Sequence, residues 1–336
     1  MVVNRRAQPR VKPLKSHKSK QGTNLFFANG ILYYADAPVK KVVKYSVDDQ
    51  DILSTVYTKR RSSLAIPVYK HSKLPPNMNI ESTVLMSEGA QLKLMDLETK
   101  SEKDLILVDD AEEVSIGAAA THQTGTLFFS TIQLDKGTVE ESHGGSLCCM
   151  RRSGKVTKLF DGLCVPDGLC FNGDCTRLFA MERGENHLVC SKLDDLSIAG
   201  PELVVDWNKS PLLPKTVVRG LTMDIDDRLW MCCSGEGKII QVDVEKKRVL
   251  LEIPAPKARE LSSLCFGGPE YREIFVASSY AALTQDELTK QVNAGHILRA
   301  KGYDVRGRKP FPVMIELNSS KSMKAAGSTR LAIQQT

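Results

Sequence analysis

One kind of segment recurs six times along this 336-residue chain and limits what it can fold into. A turn or loop leads into a short run of apolar, β-branched or aromatic residues. The six runs are Ile31–Asp36, Thr83–Glu88, Thr126–Thr131, Arg177–Glu182, Arg228–Cys233 and Glu273–Ser278. Their starts lie 52, 43, 51, 51 and 45 residues apart, close to the ~40–50 residues of a four-stranded propeller blade. A second apolar strand follows most of them, as at Val42–Ser46, Leu92–Leu97, Ser146–Met150, Leu188–Ser191 and Ile239–Val244, and runs into a polar turn. Strand and turn at even spacing is the all-β signature. Six such units close a ring, which answers the sheet-edge problem by leaving only short, protected edges. The expectation is a six-bladed β-propeller over 24–310, with a basic disordered arm at 1–23 and a tail at 311–336. The single helix-like stretch, Ala281–Val292, is expected as an insertion in the last blade.

Charge is distributed unevenly. The formal net charge is +6. Residues 1–20 carry +7 and residues 319–336 carry +3, neither with an acid, which leaves −4 for 21–318. A nucleic-acid-binding core shows the opposite distribution, and the basic N-terminal arm reads as a solvated extension, with targeting or polyanion contact as its alternative. No apolar run approaches the ~20 residues of a membrane span, and the N-terminus lacks the apolar core of a secretory signal. The nine cysteines are odd in number and show no Cys-x-x-Cys. They read as buried thiols of a reducing compartment, cytoplasmic or nuclear, rather than as a disulfide frame or zinc site. Cys148-Cys149 and Cys232-Cys233 are sequence neighbours, and neighbours on a strand face opposite ways.

The second half carries more specific motifs. Pro166-Asp167-Gly168-Leu169-Cys170-Phe171 reads as a turn leading to one inner strand, and Arg219-Gly220-Leu221-Thr222-Met223-Asp224 as a turn leading to the next. Then come Arg228-Leu229-Trp230-Met231 and Leu264-Cys265-Phe266-Gly267-Gly268-Pro269. With His143-Gly144-Gly145 and Tyr34-Ala35-Asp36-Ala37-Pro38, this succession resembles the regucalcin (senescence marker protein)/gluconolactonase family over about 24–305. That family has a Pro-Asp-Gly-Met turn, a Leu-Trp-Val strand and a Cys-Phe-Gly-Gly turn in the same order.

The resemblance implies lactone-ring opening by one divalent metal at the channel mouth. Oxygen ligands suit Ca²⁺, Mg²⁺ or Mn²⁺, and the metal polarises the lactone carbonyl. The family's Asn-Gly-Leu ligand turn corresponds to Asp167-Gly168-Leu169, which keeps an oxygen ligand. Its Pro-Asp-Gly-Met ligand turn corresponds to Val218-Arg219-Gly220-Leu221, and a guanidinium presents only donors. The substrate-holding Arg-x-Asn-Asp-Gly segment aligns with Ser115–Ala119, which keeps only Ser115 as a polar side chain. The N-terminal ligand Glu falls near Gln21–Asn24, where there is no acid, and Glu88 is the displaced acid that would have to substitute. Asp167 and Arg219 are therefore expected to pair across the channel in place of a carboxylate–metal–carboxylate bridge.

Other residues carry weaker signals. Glu182 ends an apolar strand and is a candidate for the mouth, and His143 is a second ligand-binding candidate. His17, His71, His122, His187 and His296 never fall at ligand spacing and read as loop histidines. Asp224, Asp226 and Asp227 read as turn chemistry rather than a calcium loop. The functional expectation is a divergent propeller whose lactonase site is eroded, which binds a small molecule or protein at its mouth without a cofactor. Asp167 is the one candidate catalytic or metal-binding residue, and Arg219, Ser115, Glu182 and His143 are the ligand-binding candidates. The alternatives are a lactone hydrolase with rearranged ligands, using one Ca, Mn, Mg or Zn ion, and a calcium-binding regulatory protein.

Overall fold

A computed structural model describes residues 8–15, 18–134, 143–194, 196–210 and 216–317. The basic residues Arg5 and Arg6, His17, and Lys321, Lys324 and Arg330 lie outside the described residues. Six antiparallel sheets stand around a central channel, as the repeat requires. The innermost strands are Gly22–Ala28, Ala65–Pro67, Val114–Thr121, Pro166–Phe171, Val217–Met223 and Leu261–Gly267. Each pairs outward with the next strand in sequence.

The recurring apolar runs are thus the second strand of each blade, not the channel-lining one. The segments read as turns before Arg177 and Arg228, including Pro166–Phe171, are themselves the innermost strands. The reason is local. In five of the six, the pairing register slips: between Thr23 and Phe26, Ile116 and Ala119, Pro166 and Leu169, Arg219 and Thr222, and Leu261 and Ser263. A bulge inserts residues without partners and interrupts the period-two pattern by which a strand is recognised. Glycine permits two of these bends. Gly220 holds φ +59°, and a Cβ on Gly168 would lie 2.9 Å from the Leu221 nitrogen, in the next blade.

The core lies in the wedges between neighbouring blades, where the facing sheets interdigitate. Trp207, Trp230, Tyr34, Phe128, Phe129 and Phe275 are fully buried there. The paired cysteines do face opposite ways: Cys148 packs with Phe129 and Met150, and Cys149 with Phe128 and Leu147. All nine thiols are free, and eight are buried. Burial pushes the Cys148 thiol up to about 12. Asp224 holds its turn, as expected: one carboxylate oxygen accepts from the Asp226 and Arg228 amides and the other from Trp230 Nε1 and Gln241 Nε2. Asp226 and Asp227 lie on the exposed side of that turn and pair with Arg228 and Arg308. The helix Gln285–Lys290 sits in the last blade, inside the stretch expected to be an insertion, and Thr284 opens it with a capping box.

Both ends of the chain do more than the sequence boundaries assign. The arm is not free throughout: Arg10–Pro13 forms the outermost strand of the sixth blade, in register with Leu298–Lys301. Leu14 follows it into the core beside Phe27 and Phe275. Four alternating polar and small residues do not announce a strand, because its other face is solvent. The tail boundary at 310 also moves. The backbone beyond it crosses the far end of the channel, where Val313 donates to Pro67, Met314 to Gly125 and Glu316 to Arg152. Among the described residues no helix is long and apolar enough to cross a membrane.

Removing residues 1–14 strips the sixth blade of its outer strand and empties the Leu14 site. Losing a buried leucine alone costs about 2–5 kcal/mol, and about 1.5 °C of midpoint accompanies each kcal/mol in a chain of this length. The thermal midpoint of the truncated chain is expected to fall by at least about 3 °C. An unchanged midpoint would show that the strand contributes nothing to closure.

Candidate functional site

The bulges of the innermost strands place their unpaired residues at one end of the channel. There they line a cavity of about 820 Å³, counting its open mouth. Its deeper wall is apolar, with Phe26, Ile66, Leu169 and Leu264. These residues also line a second depression at the opposite end, beneath Pro310 and Phe311. An apolar belt therefore divides the channel.

Side-chain hydrogen bonds join each blade to the next close to this cavity. Asn24 Nδ2 donates to the Ser63 and Gly117 carbonyls, both at 2.8 Å. Ser63 Oγ donates to Ile116 O at 2.6 Å, Ser130 Oγ to Pro166 O at 3.1 Å, and Ser262 Oγ to Gly22 O at 2.7 Å. Ser234 Oγ reaches Glu260 at 2.9 Å between the fifth and sixth blades.

The remaining seam, between the fourth and fifth blades, carries charge. Arg219 Nε donates to Asp167 Oδ2 at 2.6 Å. Arg183 Nε stands 3.2 Å from the same oxygen. The three side chains are only 12%, 15% and 20% exposed for Arg219, Arg183 and Asp167 respectively. Burial opposes the Arg219 charge, but attraction to Asp167 and their hydrogen bond outweigh it and raise its pKa. Beside Asp167 the backbone is strained: Val165, β-branched and followed by proline, holds φ +47°. Such a conformation costs on the order of 1–3 kcal/mol and persists only where the surroundings enforce it.

A third guanidinium lines the same cavity. Arg61 has its Nε buried and, among the described residues, without a hydrogen-bond partner. Burial lowers its pKa, Asp167 acts to raise it, and Arg219 and Arg183 lower it further. Around the cavity there are thus three guanidinium groups and one carboxylate. That donor set does not fit a divalent cation, since the one carboxylate already faces two fixed positive charges.

The sequence-expected residues divide. Asp167 and Arg219 meet in the cavity. Ser115 is buried opposite Ile132 and does not line it. Glu182 accepts from the Cys164 amide at 3.1 Å, and burial raises its pKa, but it too lies outside the lining. His143 is exposed and contacts Glu185 Oε1 through Nε2 at 2.8 Å. Glu88 is bound by Lys93 Nζ at 2.7 Å and by the Lys59 and Arg60 amides, so it is not a displaced ligand of the mouth. Sequence reasoning missed Arg61, Arg183 and Asn24. Arg61 sits in the run Lys59-Arg60-Arg61, which reads as a solvated basic turn, and Arg183 follows the Glu182 that was preferred to it.

Replacing Asp167 by alanine leaves these guanidinium groups without their counter-charge. Breaking a buried ion pair costs about 3–5 kcal/mol, and at 20% exposure solvent screening reduces this to roughly 2–4 kcal/mol. Urea unfolding of Asp167→Ala is expected to show that loss, and a change below about 1 kcal/mol would mean the pair is energetically idle.

Comparisons with known proteins agree with this architecture. The family model described as SMP-30/Gluconolactonase/LRE-like region matches residues 72–280. Regucalcin of Sus scrofa is 24% identical over 290 residues, covering 85% of this chain and 91% of its own length. Regucalcin of Oryctolagus cuniculus is 26% identical over 289 residues, with 84% and 91% covered. Among solved structures, a luciferin-regenerating enzyme superposes with a TM-score of 0.81 at 19% identity, covering 91% of this chain and all of its own. The calcium-binding protein regucalcin from Agrobacterium tumefaciens gives 0.77 at 20% identity, with 91% and 97% covered. At these identities the structures show the fold, and the family model matches well over half the chain. The chain belongs to the SMP-30/gluconolactonase/LRE-like family of propellers.

Proposed function

We propose that this propeller binds a small molecule at its channel mouth without a metal and does not open lactones there. The observation that carries this reading is the Asp167 carboxylate, met by Arg219 at 2.6 Å and Arg183 at 3.2 Å. Metal-assisted hydrolysis needs oxygen ligands free to coordinate and a base free to take a proton. The position that the resemblance assigns to a second ligand carboxylate is Arg219 itself, and the position of the third ligand, near Gln21–Asn24, offers only neutral side chains. The surviving carboxylate balances protein charge instead. The nine free thiols support residence in a reducing compartment, cytoplasmic or nuclear. The basic N-terminal arm is proposed to contact polyanions.

A second reading, a hydrolase with relocated ligands, has one observation in its favour. A ring nitrogen of His143, Cys164 Sγ and a carboxylate oxygen of Glu185 lie within 4.8 Å of one another. That set suits zinc, but none of the three lines the cavity.

Thermal unfolding with millimolar Ca²⁺, Mn²⁺ or Zn²⁺ separates the two readings, because an ion held only by the folded state raises the midpoint. No rise with Ca²⁺ or Mn²⁺ is expected, and a rise with either would sink the metal-free reading. A rise with Zn²⁺ that His143→Ala abolishes would assign zinc to the outer cluster and favour the second reading.

A further inference from the structure

Resting on that metal-free reading, we infer that the mouth of this propeller is an anion site, built for the carboxylate or phosphate group of a small organic acid or phosphate ester. Three features carry the inference. First, among the described residues the cavity lining brings together three guanidinium groups, Arg61, Arg183 and Arg219, from three different blades, and one carboxylate, Asp167. The next carboxylates stand outside the lining: Asp36, held by the Lys20 and Gln21 amides, acts on Arg61, and Glu260, held by Ser234 and Arg259, acts on Arg219. Guanidinium groups that converge on one partly buried cavity present donors that a ligand of opposite sign can complete.

Second, the Arg61 side chain lines the cavity, and its buried Nε has no hydrogen-bond acceptor among the described residues. Guanidinium groups are planar forks suited to bidentate contact with carboxylate or phosphate oxygens. Third, the wall behind the guanidinium groups is apolar, formed by Ile66, Leu169 and Leu264 with Phe26. A pocket of this kind takes an anionic head at the rim and a short, weakly polar body within. In this arrangement Asp167 is a place-holder. It satisfies Arg219 while the cavity is empty and competes with an incoming anion for the same donors.

That competition gives the test its signs. Titrate the full chain by calorimetry and by thermal shift with sodium phosphate, with sodium succinate and with neutral sorbitol, at fixed ionic strength and with chloride as the control. Saturable binding of phosphate or succinate is expected, and whichever of the two binds identifies the head group. Arg61→Met should weaken it at least ten-fold, while the near-isosteric Asp167→Asn should strengthen it about three- to ten-fold by removing the competing charge. The inference is overturned if neither anion binds saturably, or if Arg61→Met binds as the parent does. Binding of sorbitol without the anions also overturns it while leaving the metal-free reading intact. A midpoint raised by Ca²⁺ or Mn²⁺ removes that reading and this inference together. If Arg61→Met does not fold, the parent titration and the sign of the Asp167→Asn change decide the matter.

Discussion

Six wedge-shaped sheets pack as a ring only if every seam between neighbours holds, because a ring opened at one seam exposes two apolar faces at once. In this protein each seam is packed with large side chains and then crossed by a polar contact near the channel: Asn24 to Ser63, Ser63 to Ile116, Ser130 to Pro166, Arg219 to Asp167, Ser234 to Glu260 and Ser262 to Gly22. Packing supplies most of the stability, since it scales with the apolar area removed from water. The polar contacts fix the register of one blade against the next, because a buried donor or acceptor left unmatched is penalised more than a matched one is rewarded. Four of the six join neutral groups, and the fifth ends on the Glu260 carboxylate. The sixth is an ion pair, and it stands where the resemblance to lactone-opening relatives places metal ligands.

That substitution changes the sign of the mouth. A divalent ion held by carboxylates makes a centre that attracts electron-rich oxygen and activates water. Guanidinium groups attract the same kind of oxygen but cannot accept a proton or lend an open coordination position. The two designs share an affinity for oxygen-rich ligands and differ in what they do to them. One family fold accommodates both because the bulged innermost strands present single side chains to the channel while the blades behind stay unaltered.

The ring was legible in the sequence because the second strand of each blade is buried on both faces and reads as a continuous apolar run, as Leu229–Ser234 does. The innermost strands were not legible as strands. Their bulges at Asp167-Gly168 and Gly220-Leu221 break the alternation, and glycine there reads as a turn. The Asp167–Arg219 pair was foreseen from motif correspondence, since both residues occupy matched motif positions. Arg61 and Arg183 were not, because each belongs to a charged run whose members look alike until the fold buries one of them. Ser115 fell outside the cavity because alignment locates a residue along a strand but does not say which side of a bulge it falls on, and Glu182 because the apolar run it ends is the second strand of its blade and not the channel-lining one.

The last blade is made from both ends of the chain, with Arg10–Pro13 laid against Leu298–Lys301. Residues 307–316 then cross the sixth and fifth blades and run between the second and third. The strand pairing joins points nearly three hundred residues apart, and contacts of such span form late because so much chain entropy must be surrendered before they are made. Until they form, the seam between the sixth and first blades is open and the channel has no enclosed mouth. The three arginines are then ordinary solvated side chains, and they acquire their shared, dehydrated field only when the two ends meet.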